Sequence, residues 1–211
     1  MRVASVNVGM PQEVTWQGEI VTTGIFKKPV AGRIALRTLN FDGDRQADLT
    51  VHGGPDKAVY AYPREHYPDW EAVVGRSLLP GAFGENLTTE GLLEDQVCIG
   101  DEYRIGTARM VVTQPRLPCY KLGLLFGDPH IIKAFLESRR PGIYFAVTEE
   151  GQVGSGDVIE LVHRDERRVS VTDMLRLIFT KTPAASDLRK ILGIPRLAAV
   201  WRTEFESRLS E

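Results

Sequence analysis

Thr113-Gln114-Pro115-Arg116-Leu117-Pro118-Cys119-Tyr120-Lys121-Leu122 follows an apolar run, Ala108 to Val112, that predicts a buried strand. Proline lacks the backbone N–H that a sheet ladder requires, so the two prolines predict that the strand ends here. The residues after the strand are therefore expected to form a stiff loop, with no recognisable helix N-terminus at the cysteine.

Positive charge surrounds the cysteine of this loop. Arg116 lies three residues before Cys119, and Lys121 lies two residues after it. If these cations are close in space, they favour the thiolate, which attacks electrophiles and binds soft metals. The ordinary alternative is a small hydrophobic side chain buried in a tight corner.

Short strands dominate the chain up to residue 163. β-branched residues predict a hairpin over 14–25, broken at Gln17-Gly18, and further strands are predicted at 2–8, 33–39, 58–61, 96–105, 142–147 and 158–162. Pro63 favours a short helix to about Val74, and Pro129 opens another that ends at Ser138. Many short strands with few helices indicate a mainly β fold with helical additions, closed as a barrel.

The composition changes near His163, so we predict a first domain at 1–163 and a small second one at 164–211. The second domain is predicted to form three short helices, over 171–179, 182–193 and 195–209. Ser170 and Asp173 are predicted to form a capping box for the first of these helices. We interpret it as a packing module, for homodimerisation or for docking a redox partner.

Size and charge exclude several classes of protein. The chain has 211 residues, 43% hydrophobic and 26% charged, which is typical of a soluble globular protein. A net charge of −2 provides no basic footprint for nucleic acid. No apolar run is long enough for a membrane helix, and the N-terminus lacks a signal-peptide core. Two cysteines do not make a disulfide framework, so a cytoplasmic location is expected.

The cysteine loop and six further motifs together resemble the MOSC family, the domain named after the C-terminal part of molybdenum cofactor sulfurase, and its YiiM-type branch in particular. Each motif alone is weak, but their order and spacing over about 160 residues are specific, and a helical tail typical of that branch follows. The further motifs are Lys28-Pro29-Val30, Asp42-Gly43-Asp44, Val51-His52-Gly53-Gly54, Tyr62-Pro63-Arg64-Glu65-His66-Tyr67, Phe83-Gly84-Glu85-Asn86-Leu87 and Ile99-Gly100-Asp101.

This resemblance implies a MOSC-type β-barrel followed by the three-helix module, and a molybdenum cofactor-dependent enzyme. The implied reaction reduces N-hydroxylated compounds such as 6-hydroxylaminopurine, with Cys119 as the one protein ligand to molybdenum. The cofactor is a large, anionic pterin phosphate. A protein holds such a group with cations, with backbone N–H groups of glycine loops and with polar side chains.

The residues expected to bind the cofactor are those that have the required chemistry and also match positions of the family motifs. Each has an ordinary alternative: a solvated lysine, a turn with a surface histidine, a helix-surface arginine, an Asx turn, or an arginine ion-paired with a loop aspartate. They are Lys28, His52, Gly53, Gly54, Arg64, Asn86, Arg116 and Pro118, with Arg140 and Tyr144 as further candidates for the pocket wall.

Several other chemistries do not fit the spacing. Asp42, Asp44 and Asp48 lack the glycine and the final glutamate of a calcium loop. The histidines make no familiar zinc set with either cysteine, and nothing positive supports a Cys–His hydrolase. Two functions at Cys119 stay open besides reduction: a sulfur carrier with a Cys119 persulfide, and a protein that only binds or handles the cofactor.

The hypothesis that the protein is a reductase requires an electron donor. The sequence has no flavin fingerprint and no cysteine cluster for an iron–sulfur centre. A separate flavin reductase, flavodoxin or ferredoxin is therefore the implied partner.

Overall fold

The computed structural model describes residues 1–47 and 53–210. Its strands are β1 (Arg2–Val8), β2 (Gln12–Trp16), β3 (Glu19–Thr23), β4 (Lys28–Pro29), β5 (Arg33–Leu36), β6 (Val59–Pro63), β7 (Leu87–Glu90), β8 (Glu102–Ile105), β9 (Ala108–Pro115), β10 (Ile143–Glu149), β11 (Gly151–Gly154) and β12 (Ile159–His163). Its α-helices are α1 (Tyr67–Val74), α2 (Tyr120–Phe126), α3 (Ile131–Ser138), α4 (Val171–Phe179), α5 (Ala185–Leu192) and α6 (Ala199–Ser210). The predicted mainly β fold with helical additions is confirmed.

Eight strands form the main sheet, in the order β12-β8-β9-β10-β6-β7-β1-β4. The expected barrel is not closed by a continuous ladder within the described ranges. The free edge of β1 is instead shared between two partners. Its end pairs with β4, while at its start Val3 N donates to Asp157 O at 2.9 Å and Ile159 N donates to Met1 O at 3.0 Å. The sheet thus curls back towards β1 without full closure.

The hairpin of β2 and β3 stands apart from the main sheet and confirms the predicted break at Gln17-Gly18. Both turn residues have positive φ, 52° for Gln17 and 86° for Gly18, as the favoured two-residue hairpin turn requires. Trp16 pairs with Glu19, so the strands keep a regular register up to the turn.

One hydrophobic core runs from the sheet into the three C-terminal helices. Val6 and Val112 of the sheet belong to the same buried cluster as Met174, Ile191 and Phe205. The helices therefore bury their apolar faces against the sheet. No helix in the described part of the chain is long and apolar enough to cross a membrane.

The boundaries of the C-terminal helices follow their caps. The predicted capping box is confirmed, because Asp173 N donates to Ser170 Oγ at 3.0 Å and Ser170 N donates to Asp173 Oδ2 at 3.2 Å. The third helix begins at Ala199 rather than at Pro195. Its first N–H finds an acceptor outside the helix, since Ala199 N donates to Asp56 Oδ2 at 3.0 Å.

Candidate functional site

Cys119 lies where strand β9 passes into helix α2. It is half-buried and occupies the N-cap position with extended backbone angles, and its carbonyl accepts from Leu122 N at 2.9 Å. The prediction that no helix begins here is wrong. Pro115 and Pro118 both precede the helix, where their missing N–H groups and fixed φ cost the helix nothing.

A cleft of about 600 Å³, counted to its open mouth, contains Cys119 in its wall. Five cationic residues line it, and none of the described lining residues is aspartate or glutamate. Such a wall attracts an anionic ligand, since charges of one sign in a cleft focus the field there. The five are Lys27, Arg45, Lys57, Arg116 and Lys121.

Arg116, which lines this cleft, has a buried hydrogen-bond donor without a partner among the described residues. Arg116 is 6% exposed. Its guanidinium lies 4.8 Å from the centroid of the Tyr60 ring and 5.6 Å from the centroid of the Phe135 ring. No partner within the described residues accepts from its Nη1. A buried donor without a partner costs about 1–3 kcal/mol, so an acceptor on a ligand would be strongly favoured there.

The tyrosines beside Arg116 stay neutral. Burial raises the pKa of Tyr60 far above its usual value, and burial likewise raises that of Tyr144. The Tyr60 hydroxyl donates to Pro141 O at 2.9 Å, as a neutral phenol must. The guanidinium of Arg116 therefore makes cation–π contacts with neutral aromatic rings and has no phenolate as a counter-ion there.

Lys27 is tied to the cleft wall by a buried ion pair with Asp44. Burial lowers the pKa of Lys27, and the charge of Asp44 opposes that shift. Asp44 also accepts from Asn86 Nδ2 at 2.9 Å and from Gly9 N at 2.8 Å. Because Asn86 Oδ1 in turn accepts from Tyr60 N at 3.2 Å, this network links five segments of the chain around the cleft.

Glu85 holds the loop that leads to Asn86. Its fully buried carboxylate accepts from Gly81 N at 2.8 Å, from Phe83 N at 2.9 Å and from Thr88 Oγ1 at 2.7 Å. It also accepts from the hydroxyl of Tyr67. A single carboxylate thus fixes a turn at the cleft edge.

Replacement of Glu85 by alanine should destabilise the protein by about 3 kcal/mol or more, because four buried donors lose their acceptor. Glu137→Ala is the matched control, since the Glu137 side chain is exposed and lies 3.8 Å from the Lys133 ammonium group. Urea unfolding measures both. Equal stabilities of the two variants would show that the loop does not depend on this carboxylate.

The structure brings part of the predicted set together. Gly53, Asn86 and Arg116 line the cleft with Cys119. The alternative role of Arg116, an ion pair with a loop aspartate, is not what the structure shows, because its guanidinium lies over the Tyr60 ring. Pro118 lies on the outer side of the loop, in a neighbouring groove. Gly54 precedes the 3₁₀-helix Pro55–Lys57 and does not line the cleft. His52 and Asp48 lie outside the described residues.

Two predicted cations lie elsewhere. Lys28 is exposed on β4, and its neighbour Lys27 lines the cleft in its place. Arg64 is an exposed arginine 3.5 Å from the Glu90 carboxylate. Of the further candidates, Tyr144 lines the cleft, while Arg140 forms an ion pair with Asp69.

Several cleft residues were missed by sequence reasoning. The double lysine before Pro29 does not distinguish Lys27 from Lys28, because Lys27 lies just before β4 and no local pattern predicts which of the two side chains faces the cleft. Arg45, Lys57 and Tyr60 carry no motif of their own.

The C-terminal module contacts the cleft through Asp56, next to Lys57. Gln114 Nε2 donates to Asp56 O at 3.3 Å, and Gln114 Oε1 accepts from Trp201 Nε1 at 2.9 Å. Together with the cap on Ala199, these bonds join helix α6 to the end of β9 and to the 3₁₀-helix. The last helices are thus part of the frame that supports the site.

Two family matches cover this architecture. Residues 48–160 match the MOSC domain, and residues 169–211 match the YiiM-like 3-alpha helix domain. The chain therefore belongs to the MOSC family. Within that family, it falls in the YiiM-like branch, which the C-terminal match defines.

Similar proteins support this assignment. The uncharacterized protein YflK of Bacillus subtilis strain 168 is 43% identical over 96% of this chain and 92% of its own length. Protein YiiM of Escherichia coli K12 is 36% identical over 89% of this chain and 85% of its own length. A Gibberella moniliformis protein named "Reductase" is 32% identical over 90% of this chain but only 34% of its own length.

Solved structures agree with the sequence comparisons. The crystal structure of YiiM from Geobacillus stearothermophilus covers 99% of this chain and 98% of that one, with 38% identity and a TM-score of 0.83. The crystal structure of YiiM from Escherichia coli covers 100% of this chain and 93% of that one, with 29% identity and a TM-score of 0.79.

Proposed function

We propose that this protein is a molybdenum cofactor-dependent reductase of N-hydroxylated compounds, with 6-hydroxylaminopurine as the type of substrate. The observation that carries the proposal is the half-buried Cys119 thiol in the wall of a cleft lined by five cations and by no described carboxylate. The MOSC match and the relative named "Reductase" support the same class of activity.

The donor set fits the cofactor. Among the described residues, no group of three or more His, Cys, Asp or Glu side chains could hold a metal ion. A metal at Cys119 would therefore take its other ligands from a cofactor, as the dithiolene of a molybdopterin provides. The unpartnered Nη1 of Arg116 and the cations beside it suit the oxygens of the phosphorylated pterin.

The chain's own residues bind and orient the reactants. Cys119 would supply a soft sulfur ligand, Arg45, Lys57 and Lys121 would neutralise anionic charge, and Arg116 would donate a hydrogen bond. When bound, the cofactor supplies oxygen-atom removal coupled to two-electron redox chemistry. The overall reaction is R–NHOH + 2 H⁺ + 2 e⁻ → R–NH₂ + H₂O. The electrons come from a separate flavin reductase, flavodoxin or ferredoxin.

The protein purified from molybdate-fed cells tests this proposal. We expect near-stoichiometric molybdenum and pterin, and reduction of 6-hydroxylaminopurine to adenine with a chemically reduced viologen as donor. Protein from tungstate-fed cells should be inactive in the same assay. If the active-site thiol instead carried cyanide-releasable sulfur and molybdenum were absent, the sulfur-carrier function would replace the reductase.

A further inference from the structure

Glu94 and His66 form a buried pair that has no part in the chemistry proposed above. The two residues are 4% and 8% exposed, and His66 Nε2 lies 2.8 Å from Glu94 Oε2. A buried carboxylate is costly unless its oxygens accept hydrogen bonds, so the partner of its second oxygen is informative. That partner is Gly142, whose N–H donates to Glu94 Oε1 at 2.9 Å. The pair therefore holds the turn formed by Pro141 and Gly142.

This turn is fitted to Tyr60, a residue of the cleft wall. The Tyr60 hydroxyl donates to Pro141 O at 2.9 Å. Gly142 has a φ of 70°, and a Cβ atom added to it would lie 2.7 Å from Tyr60 Cε2 and 2.6 Å from Ala61 O. Glycine is the residue that combines a positive φ with so close an approach. The turn thus fixes the hydroxyl end of the Tyr60 ring by a hydrogen bond and by direct contact.

Tyr60 in turn supports the guanidinium of Arg116, which lies 4.8 Å from the centroid of the Tyr60 ring. Both residues line the cleft that contains Cys119. Because Arg116 Nη1 has no hydrogen-bond partner among the described residues, the ring beneath the guanidinium determines where this donor lies. A displaced Tyr60 ring would therefore displace the donor.

Helix α4 of the C-terminal module holds the backbone of Glu94. Thr172 N donates to Glu94 O at 3.1 Å, and Val171 N donates to Val97 O at 2.9 Å. The first N–H groups of a helix need acceptors outside it, and residues 94–97 provide two of them. Glu94 thus connects the start of α4 to the Pro141–Gly142 turn.

We propose that Glu94 is a positioning residue for the cleft. Its carboxylate fixes the Pro141–Gly142 turn, the turn fixes Tyr60, and Tyr60 fixes the guanidinium of Arg116. This chain of contacts lies within the protein and requires no ligand. Its consequence for binding an anionic cofactor rests on the proposed function.

NMR of the full chain, purified without molybdate, tests the contacts directly. Ring currents should shift the Nε–H signal of Arg116 upfield, and Arg116→Lys assigns that signal by its loss. Glu94→Ala should move the signal towards the position of exposed arginines, whereas Glu94→Gln, which keeps an acceptor for Gly142 N, should not. Glu71→Ala is the matched control, because Glu71 Oε1 also accepts from a loop N–H, that of Leu78 at 2.8 Å. An unmoved Arg116 signal in Glu94→Ala would overturn the proposal.

Tyr60→Phe tests the middle contact and leaves the buried carboxylate in place. It removes only the hydroxyl that donates to Pro141 O, and it should move the Arg116 signal in the same direction as Glu94→Ala. Residues that act through one contact give non-additive effects, so Glu94→Ala should move the signal less in the Tyr60→Phe background. Additive shifts would mean that Glu94 acts by another route, and would overturn the proposal. If Glu94→Ala does not fold, Glu94→Met takes its place, since it keeps the volume and removes the acceptor.

Molybdenum analysis separates this inference from the proposed function. In protein from molybdate-fed cells, Glu94→Ala should retain about tenfold less molybdenum than the wild type, as loss of an outer-shell contact predicts, and Glu94→Gln should retain the wild-type amount. A moved Arg116 signal in Glu94→Ala, together with a wild type that contains no molybdenum, would support the positioning role and reject the reductase. Equal molybdenum in the wild type and Glu94→Ala would overturn the role of Glu94 in cofactor retention.

Discussion

Cys119→Ala is expected to lower molybdenum retention by about 100-fold or more, because loss of outer-shell partners alone costs 10–100-fold in metal affinity. The substitution removes the one thiol in the cleft wall, and no described group of metal-binding side chains could replace it. Reduction of 6-hydroxylaminopurine should fall in parallel. Metal analysis of protein from molybdate-fed cells measures the first effect, and the viologen-coupled assay measures the second.

Cys98→Ala is the matched control for this experiment. Cys98 is buried away from the cleft, and burial raises the pKa of its thiol, which keeps it protonated. We expect this variant to retain molybdenum and activity. Equal thermal melting of wild type and Cys119→Ala would show that the fold is intact, since a half-buried cysteine contributes little to the core. Full molybdenum content in Cys119→Ala would contradict the assignment of the ligand.

The sequence was most informative where a residue type has few alternatives. Prolines and an apolar run placed the end of β9 within three residues of its observed end, at Pro115. The ordered motifs located Cys119, Arg116 and Asn86, which all line one cleft. These signals are local, and each has a direct backbone or chemical cause.

The sequence was least informative where burial depends on long-range pairing. Lys27 and Lys28 are equivalent by composition, and the pairing of β4 with the end of β1 determines their surroundings. The same is true of Arg64, which follows strand β6 and whose partner Glu90 lies at the end of strand β7. The open edge of the sheet also depends on how β1 divides its hydrogen bonds, which no local pattern encodes.

Asp44→Ala is expected to destabilise the protein by about 3–5 kcal/mol, because it leaves the charge of Lys27 buried without a partner. The Lys27 and Asp44 side chains are 8% and 0% exposed. Gly9 N and Asn86 Nδ2 lose an acceptor as well. Asp42→Ala is the matched control, since Asp42 is an exposed partner of Arg37 and such pairs contribute about 1 kcal/mol or less. Urea unfolding of both variants gives the comparison.

The dependence of this loss on pH identifies its cause. Burial already holds the pKa of Lys27 below 10.5, and removing Asp44 lowers it further. A base with a lowered pKa in the folded state costs stability while it is charged. That cost begins to fall as the pH rises above the folded pKa and is gone above the unfolded pKa. Lys27 becomes neutral at a lower pH in the variant than in the wild type, so the difference in unfolding free energy should narrow as the pH rises towards the Lys27 pKa of the wild type. Lys27→Met in the Asp44→Ala background should likewise recover part of the lost stability. A gap that is constant with pH and unaffected by Lys27→Met would instead attribute the loss to Gly9 N and Asn86 Nδ2.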